Sequence, residues 1–282
     1  MFEPDQYQLL DFGRGRKLER FGPFLLDRPA PVRAARRSHP ALWRGAHGRY
    51  ERRRGQRGAW VSAGDLPRSW TIAHAGATLE LRPSPFGHVG VFPEQAANWD
   101  WISQQTRLAR GPIRVLNLFA YTGGGTLAAA ASGAQVVHVD AARNVVAWAR
   151  RNADLSGLGG AAIRWIVEDV RKFVRRELRR GRRYHAVILD PPSYGHGARG
   201  EAWRIGRDLL PLLSWCAELT QEERVFVLLT SHSPRLGPAE LRRLLAASGL
   251  SGGPNRAAAR PLDLVTPEGL RLPSGAVAHW PA

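Results

Sequence analysis

Arg114-Val-Leu-Asn-Leu-Phe-Ala-Tyr-Thr-Gly-Gly-Gly-Thr126 is the stretch that decides how this 282-residue chain folds. Val115 to Phe119 is apolar, bounded by Gly111-Pro112 on one side and a glycine cluster on the other, the pattern of a buried parallel strand. Thr122 to Gly125 forms a turn, and Thr126-Leu-Ala-Ala-Ala-Ala131 opens a helix. A strand that breaks at glycines into a helix is where a doubly wound sheet takes a nucleotide-like ligand. The glycines let the ligand approach the backbone, and the helix N-terminus offers free N–H groups.

The following strand, Gln135-Val-Val-His-Val-Asp140, ends in an acid able to accept hydrogen bonds from both hydroxyls of a ribose. A dinucleotide fingerprint would read G-x-G-x-x-G. Here Gly123 and Gly125 are followed by Ala128, which weakens NAD without excluding it, and a G-x-x-x-x-G-K-[ST] phosphate loop is absent. Ile166-Val-Glu-Asp169 reads as a third strand-end acid, placed to accept from an adenine amine. Tyr184-His-Ala-Val-Ile-Leu-Asp190-Pro191-Pro192 is a fourth strand closing on Asp-Pro-Pro. Two prolines past a strand end fix a stiff corner, where the Asp190 carboxylate and the Pro191 carbonyl can both accept from an amine. A dehydrogenase has no use for such a corner; an enzyme that methylates a planar nitrogen has. The four features together point to S-adenosylmethionine.

The formal net charge is +17, which favours a polyanionic partner. Lysine occurs only at Lys17 and Lys172, so the basicity is almost all arginine, a bias that composition alone can also produce. A single cysteine rules out an internal disulfide framework and suits a reducing compartment. No apolar run approaches the roughly 20 residues of a membrane span. Met1-Phe-Glu-Pro-Asp5 lacks the layout of a signal peptide, so a cytoplasmic protein without a membrane partner is expected. No metal-ligand spacing occurs, and no metal is expected.

Residues 1–85 differ in composition from the rest of the chain. They are rich in Arg, Gly, Pro and Trp, with short apolar pieces such as Phe24-Leu-Leu, Ala59-Trp-Val and Ala77-Thr-Leu-Glu-Leu between turn signals. They predict a small β-rich region of hairpins or a meander. Arg33 to Arg57 carries Arg33, Arg36, Arg37, Arg44, Arg49, Arg52, Arg53, Arg54 and Arg57 around Trp43 and Tyr50. That mixture suits RNA, through phosphate pairing and base stacking, or equally a solvated basic loop. Residues 86–282 form the second domain. Helices are expected over 96–108, 126–132, 143–155, 170–180, 206–219 and 239–247, and a fifth strand over 225–230. A closing strand pair spans 262–265 and 270–272. Strands alternating with helices predict a doubly wound, Rossmann-like α/β sheet, mostly parallel, with an antiparallel C-terminal edge.

On N-L-F-x-Y-T-G (Asn117–Gly123), the strand-end Asp140, Glu168-Asp169 and D-P-P-x-[FY] (Asp190–Tyr194), the chain resembles class I S-adenosylmethionine-dependent methyltransferases. Among them it is similar to the ribosomal RNA large-subunit branch, whose members act at cytosine C5 or guanine N7. Gly15–Gly22 and Val91–Trp99 resemble a subgroup lacking the usual RNA-binding PUA module. The resemblance implies S-adenosylmethionine as cofactor, with Asn117, Phe119, Ala120, Tyr121, Thr122 and Gly123 around its methionine part. It places Asp140 and Ala141 at the ribose, and Asp169 and Val170 at the adenine. Asp190, Pro191, Pro192 and Tyr194 would meet the sulfonium and the acceptor, and Phe92 and Gln95 match an aromatic-then-Gln pair that caps the cofactor. Structural alternatives are helix or turn capping for Asp140 and Asp190, and packing or a backbone hydrogen bond for Asn117.

One departure narrows the chemistry. Methylation at cytosine C5 needs a cysteine thiolate to add to C6. The family's cysteine follows the fifth strand, where this chain has Thr230-Ser-His232, and Cys216 lies instead on the apolar face of a helix, as a core thiol. Direct displacement by an exocyclic amine or guanine N7 remains. Tyr194 can stack on a base, the Gly195–Gly200 segment can close over it, and His232 or His196 can take a proton. Methylation of an RNA base nitrogen, in rRNA, is therefore expected. The alternatives are a methyltransferase for protein or a small molecule, and a nucleic-acid-binding protein that keeps a degenerate cofactor fold.

Overall fold

The computed structural model describes residues 1–32, 35–52, 58–62, 66–196, 200–252 and 256–281. Arg33, Arg53, Arg54 and Arg57 of the arginine-rich stretch lie outside them, as does the side chain of His196. The chain forms two compact units. Met1–Ala96 with Asp263–Pro273 is one, and Ala97–Leu262 with Ser274–Ala282 is the other.

In the N-terminal unit, β1 (Tyr7–Gly13), β2 (Arg16–Phe21), β3 (Phe24–Pro29), β4 (Gly48–Arg52) and β5 (Gly58–Ser62) form a sheet in that order, and β6 (Trp70–His74) pairs with β7 (Ala77–Leu81). Arg14 and Gly15 both take positive φ, 54° and 76°, the two-residue turn whose twist matches a hairpin. Arginines are held here by buried acids. Glu19 pairs with Lys17 and Arg28 and accepts from the Tyr7 hydroxyl. Burial pushes the Glu19 carboxyl up, and the Arg28 and Lys17 charges more than offset it, leaving its pKa below the ordinary value.

The aromatics of the arginine-rich stretch face inward, a correction to stacking on RNA. Trp43 is buried and donates its indole N–H to Asp11 at 2.8 Å, with the Arg37 guanidinium 3.7 Å over its ring. Tyr50 is buried and donates to the Pro85 carbonyl. Apolar surface in a small β unit is worth more in the core than in water, so these rings serve packing. Arg36, Arg44, Arg49 and Arg52 are exposed.

From Ala96 onward the chain runs α1 (Ala96–Leu108), β8 (Arg114–Leu118), α2 (Gly124–Ala131), β9 (Gln135–Asp140), α3 (Arg143–Leu155), β10 (Ile163–Val167) and α4 (Val170–Arg179). It continues with β11 (Ala186–Leu189), β12 (Tyr194–His196), β13 (Ala202–Arg204), α5 (Ile205–Leu219), β14 (Phe226–Ser231), α6 (Pro238–Ala247), β15 (Ala258–Val265) and β16 (Arg271–Trp280). The seven-stranded sheet has the order β10-β9-β8-β11-β14-β16-β15. The first four pairings are parallel and β14/β16 is antiparallel. This is the doubly wound sheet with an antiparallel edge that the alternation predicts. Leu116, Leu118, Val187 and Leu189 turn one way onto Phe173 of α4, Leu212 of α5 and Leu241 of α6. Val115, Ala186 and Ile188 turn the other way onto Ile102 of α1 and Ala129 of α2. No helix among the described residues is long and apolar enough to cross a membrane.

The closing pair is longer than the sequence pattern predicts. Pro273-Ser-Gly275 interrupts the apolar alternation of β16, which nonetheless continues to Trp280.

Candidate cofactor and active site

Parallel order sets the carboxyl ends of β10, β9, β8, β11 and β14 along one edge, so Asp169, Asp140, the Phe119–Gly123 loop, Asp190 and His232 follow one another there. The loop alternates in hand. Phe119, Tyr121 and Gly123 take φ of 56°, 48° and 94°, two of them without being glycine. Such residues persist only where surroundings over-determine them. Ala120 N donates to Val139 O at 3.1 Å, and Asn152, fully buried on α3, donates its amide to Thr122 O at 2.9 Å. Phe119 packs on Trp203, ring centroids 4.9 Å apart. A Cβ at Gly124 would run into the Trp99 ring of α1, and one at Gly123 would come 3.2 Å from Ala149 Cβ of α3. The glycines therefore let the loop seat between two helices.

Asp140 is the clearest ligand-ready group. Its Oδ2 accepts from Tyr121 N at 3.0 Å and its Oδ1 from Ala142 N at 2.9 Å. Burial pushes the carboxyl above its ordinary pKa, opposed by the amides of Ala142, Tyr121 and Ala141. Three backbone donors on the four lone pairs of the two oxygens leave the carboxylate acceptor capacity for a hydroxyl. Asn117 is spent differently. Its amide donates to Thr126 Oγ1 at 2.9 Å, and that oxygen lies 2.9 Å from Nδ1 of the fully buried His138. Burial, with help from the Arg150 charge, pushes His138 down to about 3, and its Nε2 has no hydrogen-bond partner. This row lies in the floor under the loop.

Asp169 is a helix cap more than an open acceptor. Its Oδ1 takes Arg171 N at 2.9 Å, Lys172 N at 3.3 Å and Arg171 Nε at 3.2 Å, while Oδ2 takes Arg171 Nη2 at 2.9 Å. Val170, the first residue of α4, is buried. Arg171 was not legible as a site residue. It carries Asp169 across to Ala202 O at 3.1 Å and Asp208 at 3.2 Å, so it joins α4 to β13 and α5.

The Asp-Pro-Pro corner is pinned on two sides. Thr230 Oγ1 donates to Asp190 Oδ1 at 2.5 Å, and the buried Trp203 donates its indole N–H to Pro192 O at 2.7 Å. Ile205 N donates to Ser193 O. The segment expected as a loop after Tyr194 has strand arms, with Tyr194 opposite Arg204 and Gly195 opposite Trp203; residues 197–199 lie outside the described residues. Tyr194 is 52% exposed at the base of this hairpin, and Pro191 is buried. Cys216 is fully buried on α5, and burial pushes its thiol up to about 12. Phe92 and Gln95 belong to the N-terminal unit, where Phe92 packs against His88 and Gln95 is buried in the turn Pro93–Gln95.

The family profile of S-adenosylmethionine-dependent methyltransferases matches residues 29–240. Ribosomal RNA large subunit methyltransferase I of Aeromonas salmonicida is 36% identical over 136 residues, 48% of this chain and 33% of that protein. Ribosomal RNA large subunit methyltransferase K/L of Shewanella baltica is 30% identical over 146 residues, 51% of this chain and 20% of that protein. The chain thus spans a third or less of these relatives' length. Among solved structures, a SAM-dependent methyltransferase from Agrobacterium tumefaciens superposes with a TM-score of 0.92 at 34% identity, covering 98% of this chain and 90% of that one. A methyltransferase-fold protein in complex with S-adenosylhomocysteine has the same fold, at a TM-score of 0.76 and 17% identity over 98% of this chain and 75% of that one. A match over this much of the chain makes the protein a member of the S-adenosylmethionine-dependent methyltransferase family, an enzyme with S-adenosylmethionine as its cofactor.

Proposed function

We propose that this methyltransferase acts on a base nitrogen of RNA, in ribosomal RNA, by direct displacement. The observation that carries the proposal is the corner Asp190-Pro191-Pro192, fixed by Thr230 and Trp203 on the sheet edge that holds Asp140, with the half-exposed Tyr194 beside it. When bound, S-adenosylmethionine supplies an electrophilic methyl group on a sulfonium. Asp140 accepts from its ribose hydroxyls, and the backbone of Phe119–Gly123 lines its methionine part. Asp169 has one lone pair of Oδ2 left for an adenine amine, beside Ala141 and Val170. The Asp190 carboxylate and Pro191 carbonyl accept the N–H groups of the acceptor and hold its lone pair toward the methyl, while Tyr194 stacks on the base.

Three further observations support the choice. A thiol buried to a pKa of about 12 does not supply the nucleophile that C5 chemistry requires. Two relatives at 36% and 30% identity are ribosomal RNA methyltransferases. The net charge of +17, with Arg36, Arg44, Arg49 and Arg52 exposed, fits phosphate pairing by the N-terminal unit without base stacking. The test is Asp190→Ala. It should keep cofactor affinity, measured by calorimetry, and lose transfer of labelled methyl to rRNA. Unchanged RNA methylation by that variant would refute the proposal.

A further inference from the structure

Val170-Arg-Lys-Phe-Val-Arg-Arg-Glu-Leu-Arg-Arg-Gly-Arg-Arg183, which is α4 and the turn after it, carries eight cations against one acid. Phe173 and Val174 are fully buried against the sheet. So is Glu177, which accepts from the Tyr184 hydroxyl at 2.7 Å. Lys172, Arg175, Arg176 and Arg179 fall at i, i+3, i+4 and i+7, one stripe on the opposite side of the helix. Some of the cations are spent on the fold. Arg171 pairs with Asp169 and Asp208, Lys172 with Glu201, Arg176 with Glu168 at 2.6 Å, and Arg183 with Glu222. Arg175, Arg179 and Arg182 are exposed and have no ion pair among the described residues. Arg175 Cζ lies 5.7 Å from the centre of the Trp215 ring of α5, a cation–π contact that takes up no carboxylate.

The stripe is unfavourable in isolation. Arg171/Arg175, Lys172/Arg176 and Arg175/Arg179 are like-charge pairs four apart, and Arg171 and Lys172 stand at the positive end of the helix. A polyanion laid along it relieves both. The apolar side of α4 is used up in the core, so no apolar face remains to enter a lipid surface. Cations spaced by about one helical turn, ~5.4 Å, suit a backbone that repeats phosphates, and guanidinium matches phosphate in geometry. The first turn is tied to the hairpin that carries Tyr194, since Arg171 donates to Ala202 O at 3.1 Å and Lys172 pairs with Glu201. Resting on the function proposed above, we infer that α4 is a phosphate-binding surface for the RNA substrate. Arg175, Arg179 and Arg182 pair with phosphates of the strand whose base is presented at Tyr194. The surface lies wholly within the unit Ala97–Leu262 that holds Asp140 and Asp190. Contacts to phosphate carry no sequence information, so this surface adds affinity without choosing the base.

The experiment measures binding of the full chain to total rRNA between about 50 and 200 mM salt, together with methyl transfer to the same RNA. One variant combines Arg175→Gln, Arg179→Gln and Arg182→Gln. A control combines Arg110→Gln, Arg151→Gln and Arg242→Gln, the same charge change at exposed positions elsewhere in the unit. Each phosphate pairing contributes about 0.7 to 0.9 to the slope of log affinity against log salt. The α4 variant should therefore lose about two units of slope and at least about tenfold in affinity, and the control much less. Its KM for rRNA should rise at least about tenfold, with kcat at saturating RNA and cofactor affinity unchanged. Lysine at the same three positions keeps the charge and should keep the slope. Arg182→Gln alone, past the helix end, should lose about one unit of slope and carries the test if the triple variant does not fold. An α4 variant with the native slope and KM, or with losses equal to the control's, would overturn this inference alone. So would one that keeps rRNA but loses binding to polyglutamate or to vesicles of anionic phospholipid, since the occupant is then not RNA. Native protein that transfers nothing to RNA would overturn both this inference and the function it rests on.

Discussion

Tyr121, at a φ of 48°, donates its backbone N–H to Asp140 Oδ2 at 3.0 Å, so the left-handed kink of the glycine loop and the strand-end carboxylate hold each other in place. Neither moves without disturbing the other, and the ribose site proposed here is pre-shaped. Preorganisation of this kind spares the cofactor the entropy of ordering a loop.

Asp140→Asn removes one acceptor oxygen and the charge while preserving shape. A hydrogen bond to a charged group contributes about 1.5–3 kcal/mol, so cofactor affinity should fall by about tenfold or more. Calorimetric titration measures it directly. An unchanged dissociation constant would move the ribose elsewhere.

Trp203→Phe keeps the packing on Phe119 and deletes the indole donor to Pro192 O. Loss of one neutral hydrogen bond costs about 1 kcal/mol of stability. The larger effect should be on kcat, because the corner proposed to hold the acceptor loses one of its two pins, while cofactor affinity stays the same. Equal losses in kcat and in cofactor binding would instead make Trp203 a general prop of the fold.

His138 gives the protein an acid-sensitive floor. Its folded pKa of about 3 lies below the ordinary 6.5, so the unfolded chain binds the extra proton between those values. Its contribution to stability is full above pH 6.5 and is lost as pH falls toward 3, with a limiting slope of about 1.4 kcal/mol per pH unit. Urea titrations at pH 7 and pH 5 should show the drop. A His138→Gln protein should show a smaller one; the same drop in that variant would assign it to other groups.

How much of this was legible in the sequence differs from element to element. Val115–Leu118, Gln135–Asp140 and Ala186–Leu189 are apolar runs closed by turn signals, and a strand buried on both faces leaves that signature. That Asp140 and Asp190 stand at the carboxyl ends of parallel strands was legible from the apolar runs before them. Trp43 and Tyr50 misled, since an aromatic among arginines looks the same on paper whether it faces RNA or the core. Arg171, Thr230 and Trp203 were not legible. Their partners, Asp208, Asp190 and Pro192, come from other elements, and no local period records such meetings. His232 stood out by position alone, and its orientation depends on Ser274 and Gly275 in a strand whose proline and glycine disguised it.

The most direct measurement is transfer of labelled methyl from S-adenosylmethionine to separate pools of rRNA, tRNA, DNA, protein and small metabolites, with mass analysis of nucleosides from any labelled nucleic acid. The proposed function predicts label in rRNA, on a base nitrogen, and none with Asp190→Ala. Label confined to protein or metabolites, or a methyl on cytosine C5, would contradict it.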